Sequence, residues 1–269
     1  MKKYVVLHKR IGQTPLETIQ EWQERNPKYS DIPATYAGRL DPMASGVLLV
    51  LLGEECKKKD KYLGLDKEYE IEILLDLSSD TGDVLGIISD TETCSTPSLN
   101  EVQKACKKEV GSQTLPYPAF SSKTVDGVPL FLHSLRGTLS SIEIPTHTET
   151  FHSIKVSSLA NITSEQLQKR VTEMLAVVPH SDEPTKELGA DFRIHAVRNS
   201  WTTVLLQPER TFTLIRLRVT CGSGAYMRTL AERIGVSLGT TALALSIHRT
   251  RMGTRTSFGP LSVWTKLYS

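Results

Sequence analysis

The stretch Ala37-Gly38-Arg39-Leu40-Asp41-Pro42-Met43-Ala44-Ser45-Gly46-Val47-Leu48-Leu49 carries the most information in the chain. Its second half opens a continuous apolar run over 47–52, short enough for a buried strand. Ahead of that run, Asp41 falls in a loop with Gly38 before it and Pro42 after it. Glycine lets another backbone or a ligand approach closely, and proline fixes the direction of the chain. An isolated Asp-Pro pair is ordinarily a turn, so the meaning of Asp41 rests on what surrounds it.

Working outward, residues 1–9 hold too short an apolar stretch for a signal peptide and read as a first strand. Thr14-Pro15-Leu16-Glu17 is a capping box with proline at the first helical position. It opens a helix through about Arg25, with Ile19 and Trp22 toward the core. Along 67–77, Tyr69, Ile71, Ile73 and Leu75 alternate with Glu68, Glu70 and Glu72. That pattern predicts a half-buried strand whose carboxylates face water.

Residues 78–83 are turn-rich, Ser98 and Glu101 frame a second capping box, and Asp126-Gly127 marks a hairpin turn. Thr163 and Gln166 cap a helix running to about 177. The polar segment 179–189, with two prolines, is expected to be a mobile loop. Phe192, Val197, Trp201 and Val204 suggest one more helix. A strand over 213–221 and a helix over 225–234 follow, with Gly235 placed as the helix C-cap. Strands and helices mix without regular βαβ alternation, which predicts a single α+β domain rather than a doubly wound one.

Composition excludes little. Of the 269 residues, 39% are apolar and 23% charged, as in an ordinary globular protein. No apolar run reaches about eighteen residues, so no membrane-spanning helix is expected. The four cysteines, Cys56, Cys94, Cys106 and Cys221, form no CxxC pair. They argue against a zinc site or a disulfide framework and for a reducing, cytoplasmic setting. None of the seven histidines forms an HxxxH or HxH pair. From Gln207 onward nine Lys/Arg face two Asp/Glu, a basic third that suits polyanion binding and equally a solvated basic face.

The 37–49 stretch meets every position of G-x-L-D-P-x-A-x-G-x-L, and so resembles the catalytic motif of TruB-type tRNA pseudouridine synthases. Further motifs follow in the family's order. Lys67-Glu68-Tyr69 resembles K-x-Y, and Ser79-Asp80-Thr81-Gly82-Asp83-Val84-Leu85-Gly86 resembles T-D-T-G-D-x-x-G. Tyr117–Gly127 resembles the P-P-x-Y-S-A-x-K-x-x-G hairpin. Residues 220–230, with Tyr226 and Arg228, resemble C-S-x-G-T-Y-I-R-x-L, and 242–253 resembles the closing L-R-R-T-x-x-G segment.

The resemblance implies the pseudouridine synthase catalytic fold, an α+β arrangement with a mixed central sheet and flanking helices. It implies isomerisation of uridine to pseudouridine in the TΨC stem-loop of tRNA, without metal or organic cofactor. Asp41 would be the catalytic carboxylate, acting on the ribose either at C1′ or at the C2′ proton; the residues leave both open. Tyr69 would stack on the flipped base and Arg228 would pair with Asp41. Lys9, Tyr36, Arg39, Lys67, Tyr226 and Arg249 are candidate RNA-binding residues; among them Lys9, Arg39 and Arg249, together with Arg251, are candidates for phosphate contacts.

Three departures stand out. Thr35-Tyr36 replaces the family's Gly-His, so Tyr36 is a candidate to stack in place of the histidine. His8-Lys9-Arg10-Ile11-Gly12 keeps only the lysine and glycine of D-K-P-x-G. The sequence stops soon after Trp264, which is read as a short form without the C-terminal RNA-binding domain. Residues 161–212 are read as an insertion, helical and beside the RNA cleft. The expected partner is tRNA, with no membrane, no obligate protein partner and a monomeric chain. Two other readings are a tRNA-folding chaperone and the catalytic subunit of a guide-RNA particle.

Overall fold

The computed structural model describes residues 2–90, 96–178, 193–205, 210–258 and 261–269. The elements run β1 (Tyr4–Lys9), α1 (Pro15–Glu24), β2 (Ala34–Ala37), β3 (Ala44–Leu52), α2 (Asp60–Leu63) and β4 (Asp66–Leu75). Next come β5 (Leu77–Ser79), β6 (Ile88–Asp90), α3 (Leu99–Lys108), β7 (Gly111–Pro116), β8 (Thr124–Val125), β9 (Val128–Pro129) and α4 (Leu130–Leu135). The chain continues with β10 (Thr146–Thr163), α5 (Ser164–Ala176), α6 (Ile194–Leu205), β11 (Thr211–Cys221), α7 (Met227–Ser237), β12 (Ala242–Phe258) and β13 (Leu261–Tyr268).

Among the described residues nine strands form one sheet in the order β1-β3-β12-β4-β11-β10-β7, with β2 on β3 and β13 on β12. β3 runs parallel to β12, and the other pairs in this sheet are antiparallel. The mixed sheet and flanking helices agree with the expected α+β class. All three capping boxes form, at Thr14, Ser98 and Thr163, each with both reciprocal bonds. Asp126 and Gly127 take φ 50° and 78°, as a two-residue hairpin of the mirror-image type requires.

Because side chains alternate across a strand, β4 feeds two cores. Tyr69, Ile71, Ile73 and Leu75 pack with Ile215, Leu217 and Val219 of β11 against α3 and α7. On the opposite face, Leu74, Leu214, Leu243 and Leu245 pack against Leu167, Val171 and Leu175 of α5 and Val197 and Trp201 of α6. β3 is covered from Val47 to Leu52, no residue there being more than 3% exposed, as its uninterrupted apolar run requires.

Two expectations need correction. Of the β4 carboxylates Glu70 is half exposed as expected, but Glu68 and Glu72 do not face water, because the strand lies mid-sheet between two arginine-bearing neighbours. Glu68 is buried and pairs with Arg251 at 3.0 Å, while Glu70 pairs with its cross-strand neighbour Arg218 at 2.8 Å. Glu72 accepts from Arg170, from Arg216 at 2.7 Å and from Ser246 at 2.8 Å. The second correction is at Gly235, which lies inside α7. A Cβ there would sit 2.6 Å from that of Ala242, so this glycine serves close packing, and Gly239 takes the left-handed position at φ 79°. The segment 179–189, Phe192 and Cys94 lie outside the described residues.

Burial of Glu72 favours its neutral form, but the bonds from Arg170, Arg216 and Ser246 outweigh it and hold the carboxyl below the usual glutamate range. A depressed folded pKa contributes stability that is present above the unfolded value, about 4.3, and lost as pH falls through the folded value. Glu72→Gln is therefore expected to lose about 1–2 kcal/mol at pH 7, allowing for solvent screening of half-exposed Arg216. Urea unfolding of both proteins should show that difference shrinking below about pH 4; a difference that grows in acid would contradict the assignment.

Candidate active site

The loop between β2 and β3 brings Asp41 to the edge of a cleft of about 630 Å³. The cleft is also lined by Tyr69 from β4, Tyr226 and Arg228 at the start of α7, and Phe120 from the segment after β7. Asp41, Tyr69, Tyr226 and Arg228, expected to share one site from four separate motifs, are thus together.

Arg228 organises the cleft. Its side chain is 5% exposed, against 35% for Asp41. Nε donates to Asp41 Oδ2 at 2.8 Å, Nη1 to the Thr81 carbonyl and Nη2 to the Phe120 carbonyl at 3.0 Å. Asp83 Oδ2 lies 3.8 Å from the same Nε. Burial opposes the guanidinium charge, but Asp41 and Asp83 overcome it and raise the Arg228 pKa above its ordinary value. Burial pushes the Asp83 carboxyl up, against the pull of Arg228. Gly82 permits this closeness: at φ 75°, a Cβ there would lie 3.3 Å from Arg228 Cβ and 2.8 Å from Glu232 Oε1.

Tyr69 is 8% exposed on β4, opposite Val219 of β11 and Arg249 of β12. Burial raises its phenol pKa. Tyr226 stands at the N-cap of α7, its backbone N–H donating to Glu149 Oε1 at 3.0 Å. Burial, with the nearby charge of Asp41, pushes the Tyr226 phenol up to about 12, so it is protonated at neutral pH.

Besides Tyr226, the expected RNA-binding residues divide into three groups. Arg39 is exposed at the rim of the cleft. Tyr36 does not line it: it is partly buried against the cluster that includes Ile19 and Leu48, with Lys59 Nζ 5.1 Å from the ring centroid. Lys9, Lys67 and Arg249 are interior cations. Lys9 is fully buried and donates to the carbonyls of Arg10, Pro42 and Ala44 at 3.0, 3.2 and 2.6 Å. Arg249, also fully buried, holds the carbonyls of Val47, Arg39 and Gly38 at 2.8, 3.3 and 3.0 Å.

Their expected phosphate contacts are therefore corrected: these two side chains brace the Asp41 loop through its backbone. Arg251, the remaining phosphate candidate, is paired with Glu68. Lys67 lines the cleft and donates to the carbonyls of Leu63 and Leu65. Burial lowers both the Lys9 and the Lys67 pKa to about 8.

Sequence reasoning did not single out Asp83, Phe120, Glu149 or Arg193. The first two lie inside motifs already quoted and were open to detection. Glu149 on β10 and Arg193 ahead of α6 stand in stretches without a signature. Among the described residues no group of three or more His, Cys, Asp and Glu could hold a metal ion.

Known proteins share the sequence pattern and the fold of this chain. Residues 28–173, more than half of the chain, match the model of the TruB family pseudouridylate synthase, N-terminal domain. A tRNA pseudouridine synthase B of Cupriavidus metallidurans is 27% identical over 232 residues, which are 86% of this chain and 57% of the relative. One from Psychrobacter arcticus is 25% identical over 251 residues, 93% of this chain and 52% of the relative. The chain thus spans little more than half the length of these relatives. A crystal structure of a Cbf5–Nop10–Gar1 complex shares the fold, with TM-score 0.53 and 18% identity over 93% of this chain and 48% of that one. With its family model matched and its motif residues gathered in one cleft, this chain belongs to the TruB family of pseudouridylate synthases.

Proposed function

We propose that the chain isomerises uridine to pseudouridine in the TΨC stem-loop of tRNA, with Asp41 as the catalytic carboxylate. The observation that carries this reading is the Asp41 carboxylate, one-third exposed to the cleft and held at 2.8 Å by the buried Arg228. A uridine stacked in a folded RNA is out of reach of such a group, so the nucleotide must flip into the cleft at a cost of a few kcal/mol. Tyr69 offers its ring to the extruded base, where stacking is worth about 1–3 kcal/mol.

Arg228 orients the carboxylate, which acts on the ribose by one of two routes. In the first, an oxygen of Asp41 bonds to C1′ as the C1′–N1 bond breaks and uracil leaves with the electron pair. In the second, the carboxylate removes the C2′ proton as that bond breaks. In both, the base turns and C5 bonds to C1′, as the Asp41 oxygen leaves C1′ in the first route and the proton returns to C2′ in the second; the C5 proton is then lost and N1 is protonated. Tyr226, protonated at neutral pH, presents a phenolic donor beside Asp41. Arg39 at the rim suits the phosphate backbone, which sets affinity rather than sequence choice. The reading includes a cytoplasmic enzyme that acts as a monomer on tRNA, without metal or cofactor.

Tritium release from a tRNA transcript labelled at C5 of uridine tests this directly. Asp41→Asn is expected to lower release at least about a thousandfold while tRNA Kd stays within about threefold. Replacing the TΨC-loop uridine with cytidine should abolish release by the unaltered chain. Release that persists in the variant would remove Asp41 from the mechanism. Binding without release by either protein would favour the chaperone or partner-dependent reading.

Arg228→Lys is expected to lower kcat about a hundredfold, because an ammonium cannot reproduce three donor directions in one plane. Single-turnover rates at saturating tRNA check this. An unchanged rate would mean that charge alone suffices at this position.

A further inference from the structure

Arg228 is held by two loops that are separate in sequence, through the carbonyls of Thr81 and Phe120. One further side chain grips both. Arg193, immediately before α6, donates from Nη1 to Asp80 Oδ2 at 2.6 Å and from Nη2 to Asp80 Oδ1 at 3.1 Å. Asp80 is the residue next to Thr81. The Arg193 guanidinium carbon also lies 4.9 Å from the centroid of the Phe120 ring. Thus the residues that Arg193 touches are the neighbour of one carbonyl partner of Arg228 and the bearer of the other.

The anchor behind Arg193 is firm. Trp201 Nε1 donates to the Val84 carbonyl at 3.0 Å, and the Ile88 N–H donates to Ser200 Oγ at 3.1 Å, so α6 is bonded to the stretch that follows Asp80. Arg193 itself has φ 55°, a region that non-glycine residues seldom occupy. Its side chain is 24% exposed, well covered for an arginine beside an open cleft.

We propose that Arg193 is a positioning residue for the Asp41–Arg228 pair, a clamp through which the α5–α6 helices set the orientation of the catalytic carboxylate. A planar guanidinium can hold both loops at once, since its edge meets the Asp80 carboxylate and its face meets the Phe120 ring. Removing it frees the two carbonyls to drift, and Arg228 loses the frame that aims Nε at Asp41. The proposal rests on the catalytic reading above, but its geometry can be tested without turnover.

The experiment compares the unaltered chain with Arg193→Ala, Arg193→Lys and, as a control, Arg170→Ala, which removes an ion pair of α5 to Glu72. In the free protein, hydrogen exchange of the Arg228 Nε–H, followed by NMR, is expected to quicken about tenfold in Arg193→Ala. It should quicken less in Arg193→Lys, which keeps charge toward Asp80 but lacks the planar face, and be unchanged in Arg170→Ala. With the labelled transcript, Arg193→Ala should lower kcat about tenfold and leave KM within about twofold.

Unchanged Arg228 exchange in Arg193→Ala overturns the clamp, whatever happens to kcat. A rise in KM at constant kcat that weakens with added salt overturns it in favour of a phosphate contact. If the unaltered chain releases no tritium, the catalytic reading fails, while the exchange rates still decide the clamp.

Discussion

A buried guanidinium tolerates few environments, and the molecule is arranged around one. Arg228 is 5% exposed, and a charge so placed is destabilising unless a counter-ion and hydrogen-bond acceptors surround it. It finds Asp41 from the β2–β3 loop, the Thr81 carbonyl from the turn after β5 and the Phe120 carbonyl from the segment after β7. None of these is near α7 in sequence. Satisfying Arg228 therefore fixes three loops against one helix, and the same bonds that relieve its burial aim the carboxylate into the cleft.

The other buried cations extend this logic to the backbone. Lys9 reaches from β1 to the carbonyls of Pro42 and Ala44, on either side of Met43, and Arg249 reaches from β12 to those of Gly38 and Arg39. The Asp41 loop is thus pinned before and after the carboxylate by side chains from two different strands. Such a loop carries carbonyls to which no sheet partner donates, and buried carbonyls need donors. Positive groups supply them, so the charges of Lys9 and Arg249 are directed at the backbone of the Asp41 loop.

Local signals in the sequence were legible because their physics is local. The capping boxes at Thr14, Ser98 and Thr163, the Asp126-Gly127 turn and the apolar run of β3 each depend on residues within a few positions. Asp41, Tyr69, Tyr226 and Arg228 were legible for a different reason, the family motifs around them. What failed was what depends on distant partners. The carboxylates of Glu68 and Glu72 read as a wet face until β11 and β12 supplied arginines. Lys9 and Arg249 read as phosphate contacts because nothing in their neighbourhoods reveals carbonyls 35 and 210 residues away. Gly235 read as a helix end because its close neighbour, Ala242, belongs to the next strand.

The start of α7 shows how far the site depends on completed tertiary structure. Glu149 of β10, 1% exposed, accepts the Tyr226 N–H at 3.0 Å, His147 Nε2 at 3.1 Å and Arg233 Nη2 at 3.3 Å. A carboxylate at a helix N-terminus is favourably placed against the helix dipole, and here it also sets where the helix begins. Two residues further on, Arg228 is held from the opposite side by Asp41. One helical turn is therefore fixed between β10 and the β2–β3 loop, elements about a hundred residues apart in the chain. Tyr226 and Arg228 take their places only once both have docked, so the geometry of the cleft is a property of the closed sheet and not of any motif alone.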